Sequence, residues 1–125
     1  AKTGKFAWRK NLDNEMVYAS PVVTKDRLYV AFKSGHVKAL NKGDGSEIAD
    51  YKFPDEINST PVVTGTGIMF AGCNDGYVYA VDLDTRAVAW KHATGAGLHS
   101  SPAVVDNALY IGSEDGSLYA FEGRR

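Results

Sequence analysis

The chain has 125 residues, with 14 lysines and arginines against 15 aspartates and glutamates and a formal net charge of -1. Hydrophobic residues make up 44% and charged residues 23%, the balance of an ordinary globular domain rather than of a disordered segment. No like-charge block marks a nucleic-acid surface, no apolar run reaches the length of a membrane span, and a single cysteine, Cys73, excludes an intrachain disulfide or a cysteine-based zinc cluster.

The first predicted element in chain order is a strand over Lys5–Lys10, around Trp8. One pattern is then written three times. Its copies open on Ser20-Pro21-Val22-Val23, Thr60-Pro61-Val62-Val63 and Ser101-Pro102-Ala103-Val104-Val105. An aromatic follows at Tyr29, Phe70 and Tyr110, and then a glycine at Gly35, Gly76 and Gly116. A four-residue echo comes next: Val37-Lys38-Ala39-Leu40, Val78-Tyr79-Ala80-Val81 and Leu118-Tyr119-Ala120-Phe121. Short apolar or alternating runs bounded by turn residues read as strands, which the third copy places over Ser101–Val105, Ala108–Ser113 and Ser117–Glu122. The connectors are Lys25-Asp26 and Ser34-Gly35, then Gly65-Thr66-Gly67 and Asn74-Asp75-Gly76, then Asp106-Asn107 and Glu114-Asp115-Gly116. Asn, Asp and Gly tolerate the positive φ that tight hairpin turns require. A fourth strand is predicted at Glu47–Lys52 and at Ala87–His92, around Trp90, and no stretch carries a helical period.

Four short antiparallel strands repeated at a fixed period predict an all-β fold, a β-propeller with three blades per chain at roughly residues 20–52, 59–92 and 100–122. One blade cannot bury its own apolar face, so neighbouring blades must stack. The pattern opens on a fourth strand and closes after a third, which leaves Ser117–Glu122 as an unpaired edge and Lys5–Lys10 without a blade. A homodimer by strand exchange between these two segments would pair every strand, giving a six-bladed ring of which each chain is half. The rival expectation is a piece of a larger propeller.

The residues joining third and fourth strands carry a further pattern. Ala80-Val81-Asp82-Leu83-Asp84-Thr85-Arg86-Ala87-Val88-Ala89-Trp90 resembles the tryptophan-docking motif of quinoprotein-type propellers, A-x-D-x-x-T-G-x-x-x-W, with Arg86 in the glycine position. Thr3-Gly4-Lys5-Phe6-Ala7-Trp8 is similar to its second half, and Ala39-Leu40-Asn41 with Asp44-Gly45 to a degenerate copy whose tryptophan position is Ala49. With the repeated Ser-Pro-x-Val elements, almost the whole chain resembles the PQQ-like repeat family. That family includes quinoprotein dehydrogenases and a non-catalytic propeller lipoprotein of outer-membrane assembly. The resemblance implies an interaction scaffold, with a fragment of a quinone-dependent dehydrogenase as the alternative, and a periplasmic or extracellular setting. A tryptophan offers a broad apolar face and one N–H donor, and a glycine lets backbone approach such a ring. Trp8 and Trp90 are therefore expected between blades, and Ala49 with Arg86 predicts one looser blade junction.

No catalytic residue, metal site or bound cofactor is expected. The dehydrogenases of the family use a calcium-held quinone, usually against a vicinal disulfide, and no Cys-Cys pair is present. Asp75, Glu114 and Asp115 fall in hairpin turns, where carboxylates have backbone roles. His36, His92 and His99 lack metal-ligand spacing, and the serine or threonine before each repeated proline reads as a hydroxyl bonding nearby backbone. Recognition is expected on loops carried by the repeat. The slot three residues before each proline varies from copy to copy, Tyr18, Asn58 and His99, and these are the candidate contacts for a protein, peptide or small ligand.

Overall fold

Pairing follows chain order throughout the protein, as hairpin-rich connectors require. The structure, a computed structural model, describes residue 4 and residues 7–12, 16–17, 19–105 and 108–122. Lys5, Phe6, Tyr18 and the predicted Asp106-Asn107 turn lie outside them. The first sheet joins β1 (Val22–Val23), β2 (Arg27–Ala31), β3 (His36–Asn41) and β4 (Glu47–Lys52) in that order. The second joins β5 (Val62–Val63), β6 (Ile68–Gly72), β7 (Tyr77–Asp82) and β8 (Val88–Ala93). The third joins β9 (Ala103–Val105), β10 (Ala108–Gly112) and β11 (Leu118–Glu122). All neighbours are antiparallel.

The repeat is preserved in register. Tyr29 faces Ala39 across its strand pair, Phe70 faces Ala80 and Tyr110 faces Ala120. Each large ring thus lies opposite a methyl group, a fit that keeps every sheet thin enough to stack on the next. The ladder between third and fourth strands shifts register at the same place in both four-stranded sheets, between Ala39 and Leu40 and between Ala80 and Val81. Residues 7–10 of the predicted opening strand join no ladder. Strand geometry needs a neighbour to take its backbone N–H and C=O groups, and no described strand lies in that position.

Stacking makes the core. Tyr29, Val37, Ala39 and Tyr51 of the first sheet pack with Met69, Ala71, Tyr79 and Val81 of the second. The opposite face of the second sheet, through Val78 and Phe70, packs with Leu109, Ile111, Tyr119 and Phe121 of the third. Val30, Phe32 and Leu40 on the outer face of the first sheet are covered in part by Leu12. Leu118 and Tyr110, on the outer face of the third sheet, are 74% and 41% exposed, although Tyr29 in the same repeat position is 3% exposed.

Candidate functional site

Of the three candidate contact residues, two are described and they differ. Asn58 is half-buried; its Nδ2 donates to Glu56 Oε1 at 3.3 Å, and its Oδ1 is buried with no hydrogen-bond partner among the described residues. His99 is exposed, its Nε2 lying 3.5 Å from Glu114 Oε1. No hydrogen bond or ion pair joins Asn58 to His99. The sheets are instead linked two residues further on. The Ser20 N–H donates to Thr60 Oγ1 at 3.0 Å, and the Thr60 N–H donates to Ser101 Oγ at 3.0 Å. The repeated hydroxyl bonds backbone, as its recurrence suggested, but the amide belongs to the preceding blade. The proline-flanking amides of the first two blades are therefore each tied to the next blade's side chain.

A second set of contacts crosses the blades where fourth strands meet turns. Trp8 Nε1–H donates to the Lys42 carbonyl at 3.2 Å. Its ring lies against Gly45, where an added Cβ would sit 2.6 Å from Trp8 Cζ3. The next junction has neither tryptophan nor glycine. Arg86 holds the left-handed turn with φ +65, in the position where Gly45 has φ +78, and Ala49 is buried. Here the Tyr51 hydroxyl donates to the Leu83 carbonyl at 3.2 Å. Leu83 precedes Arg86 by the same interval as Lys42 precedes Gly45, so a phenol two residues along β4 takes the carbonyl that an indole takes at the first junction. Side chains alternate along a strand, which puts Tyr51 on the same face as Ala49. The substitution is unreadable from a motif that inspects one position. Tyr51→Phe is expected to cost about 1 kcal/mol, the net worth of one such bond, seen as a lower urea midpoint with unchanged slope.

Trp90 is 39% exposed, with its centroid 5.9 Å from Phe70 and 5.5 Å from Phe121, while His92 lies 5.1 Å from Phe121. Between β4 and the second sheet a cleft of about 520 Å³ opens, bordered by Tyr51, Tyr79, Arg86 and Trp90.

The turn carboxylates have backbone duties and a phenol each. Asp75 Oδ1 accepts the Tyr77 N–H at 3.0 Å, and its Oδ2 accepts the Tyr79 hydroxyl at 2.5 Å. Asp115 accepts the Ser117 N–H at 2.8 Å, the Gly95 N–H at 3.0 Å and the Tyr119 hydroxyl at 2.5 Å. The Tyr119 hydroxyl, above all, holds the Asp115 carboxyl below its usual range. Burial, and then the bond to Asp75, pushes the Tyr79 phenol well above its ordinary value of 10.0. Burial also raises Tyr51, and it pushes the enclosed Cys73 thiol from 9.0 to about 11, as suits an inert core thiol. These groups are held neutral by folding, so their stabilisation is complete below pH 9 and is lost as pH rises, because the unfolded chain ionises first. The urea midpoint is expected to fall between about pH 9 and 11, and less steeply in Tyr79→Phe. A midpoint unchanged to pH 11 would contradict this.

Four-stranded antiparallel meanders, repeated in register and stacked face on face, define a β-propeller of PQQ-like repeats. The chain belongs to the PQQ_2 family, described as outer membrane protein assembly factor BamB, which matches residues 1–48 and 33–125. It is similar to outer membrane protein assembly factor BamB of Salmonella typhimurium, 26% identical over 95% of this chain and 30% of that protein. In fold it resembles BamB from Moraxella catarrhalis, with a TM-score of 0.80 at 20% identity over 95% of this chain and 37% of that one. It also resembles the quinohemoprotein alcohol dehydrogenase ADHIIG from Pseudomonas putida HK5, with a TM-score of 0.79 at 26% identity over 94% of this chain and 21% of that one. The chain thus spans about a third of the curated relatives' length.

Proposed function

We propose that the chain is a non-catalytic propeller module, an interaction scaffold of the kind used in outer-membrane assembly, in an extracytoplasmic setting, and that it associates head to tail with a second copy. The observation carrying this reading is the outer face of the third sheet. Its Tyr110, Leu118 and Ala120 occupy the positions of Tyr29, Val37 and Ala39, which the second sheet buries. The same residue types on the same face favour the same occupant, another blade. Complementary ends of the hydroxyl relay add support: Ser101 N–H lacks an acceptor and Ser20 Oγ lacks a donor among the described residues. On this reading residues 5–10 complete the sheet at β11, and Trp8 and Trp90 act as inter-blade docking side chains. Tyr18, Asn58 and His99 contact the protein or peptide partner.

Kinship with the quinohemoprotein fold favours the second reading, a dehydrogenase fragment. The donor set does not fit a calcium-held quinone. Asp75 and Asp115 are engaged by phenols and backbone amides, and Cys73 is single and buried.

Sedimentation equilibrium tests the assembly. About twice the chain mass is expected, falling to one chain mass in Leu118→Lys; a wild-type monomer at tens of micromolar sinks it. Alanine at residues 18, 58 and 99 is expected to weaken partner binding without changing mass. A melting temperature raised by the quinone with calcium would favour the second reading, since only native-state binding stabilises.

A further inference from the structure

In each copy of the docking motif the tryptophan position stands four residues after the glycine position: Gly4 with Trp8, Gly45 with Ala49, and Arg86 with Trp90. The indole docks on the glycine turn of the next copy. Trp8 does so within the chain, with its ring against Gly45 and its Nε1–H on the Lys42 carbonyl. Trp90 has no such seat among the described residues. It packs on Phe70 and Phe121 and stays 39% exposed, and no described acceptor meets its indole N–H. None of the described positive-φ glycines has the Trp90 ring as its nearest neighbour. Gly4 is the converse case, a motif glycine with no ring upon it. Its φ of +65 equals that of Arg86 and is close to the +78 of Gly45, so it already holds the left-handed turn on which an indole docks. A Cβ at Gly4 would meet nothing within 4 Å, whereas one at Gly45 would lie 2.6 Å from the Trp8 ring.

We propose that Gly4 of a second copy docks against Trp90, forming across two chains the indole-on-glycine contact that Trp8 and Gly45 form within one. The pair rests on the head-to-tail reading above and names the residues that meet at its seam. On that reading residues 5–10 of a second copy lie beside β11 as its fourth strand. Gly45 and Arg86 each come just before a fourth strand, and Gly4 comes just before this one. One chain does not supply both partners. The first and third sheets lie on opposite sides of the second, about 20 Å apart at about 10 Å per packed layer. Trp8 is held at the first sheet, Trp90 lies against Phe121 of the third, and four residues span at most about 14 Å. Glycine suits the place because the flat ring has to meet bare backbone in a left-handed turn.

The test mixes two preparations of the full chain, one isotope-labelled at tryptophan nitrogen and the other at glycine carbon. They are unfolded together in urea and refolded so that copies exchange. A cross-chain NOE between the Trp90 indole and the Gly4 Hα protons is expected. Gly4→Ala should weaken association at least about tenfold, the scale of a methyl group forced into a packed contact. In a Trp90→Leu background the same change should cost less, because leucine leaves room for the methyl group and residues in contact are not additive. A wild-type monomer at tens of micromolar ends both the assembly and this pair. A dimer without the NOE, an unchanged association in Gly4→Ala, or an equal penalty in the Trp90→Leu background overturns the pair and leaves the assembly standing.

Discussion

Ile57→Ala and Leu98→Ala are each expected to destabilise the protein by about 2–5 kcal/mol, the cost of truncating a fully enclosed aliphatic side chain and leaving a cavity. Val17→Ala should cost less than about 1 kcal/mol. The three residues share one slot, four before the repeated proline. Ile57 and Leu98 are 0% exposed and Val17 is 37% exposed. Ile57 plugs the junction of the first and second sheets, and Leu98 that of the second and third. These are separate clusters, so the double variant should approach the sum of the singles. A domain of this size has roughly 5–15 kcal/mol of total stability, which puts the double variant near unfolding. Urea denaturation decides it: Leu98→Ala within about 1 kcal/mol of the parent would mean that the stacked faces do not carry the core.

Gly35→Ala should cost about 3–4 kcal/mol and Gly116→Ala only about 1–2, although the two glycines hold the same place in the repeat. Both turns need positive φ, +100 and +90, so an L residue is strained in either. The difference is what the new methyl group meets. At Gly35 it would lie 2.5 Å from the Asp55 carbonyl oxygen and 3.0 Å from that of Phe53, backbone that cannot rotate aside. At Gly116 nothing lies within 4 Å. The first sheet has a fourth strand whose exit crosses the turn, with Phe53 N–H donating to the Gly35 carbonyl at 2.8 Å. The third sheet has no such strand among the described residues. Equal losses in the two variants would show that φ strain alone sets the cost.

The two blade junctions show how far the motif could be read. Trp8 against Gly45 fits a rule that pairs an indole with a glycine turn, and both residues are visible in the chain. Ala49 with Arg86 violates the rule, and a looser contact follows if only those positions are read. Tyr51 adds a bond that the rule does not foresee, because β4 carries its side chain to the same face, within reach of the Leu83 carbonyl, and a cleft stays open beside it. That reach depends on the separation of two sheets, which no local pattern records. The contact slot behaves similarly: Asn58 and His99 are equivalent in the repeat, yet one is half-buried and the other exposed.

By itself the amino-acid order determined the strands of the three sheets, the described hairpins between them and the three-fold repetition of the sheet. Those features rest on side-chain alternation and on turn residues a few positions apart, interactions that each segment carries with it. Only the tertiary structure decided which copy of a repeated residue is enclosed, which hydroxyl crosses to the neighbouring blade, and where a cleft remains. Burial and hydrogen-bond reach are set by what the adjacent sheet brings up against a residue, and the adjacent sheet lies some forty residues away along the chain.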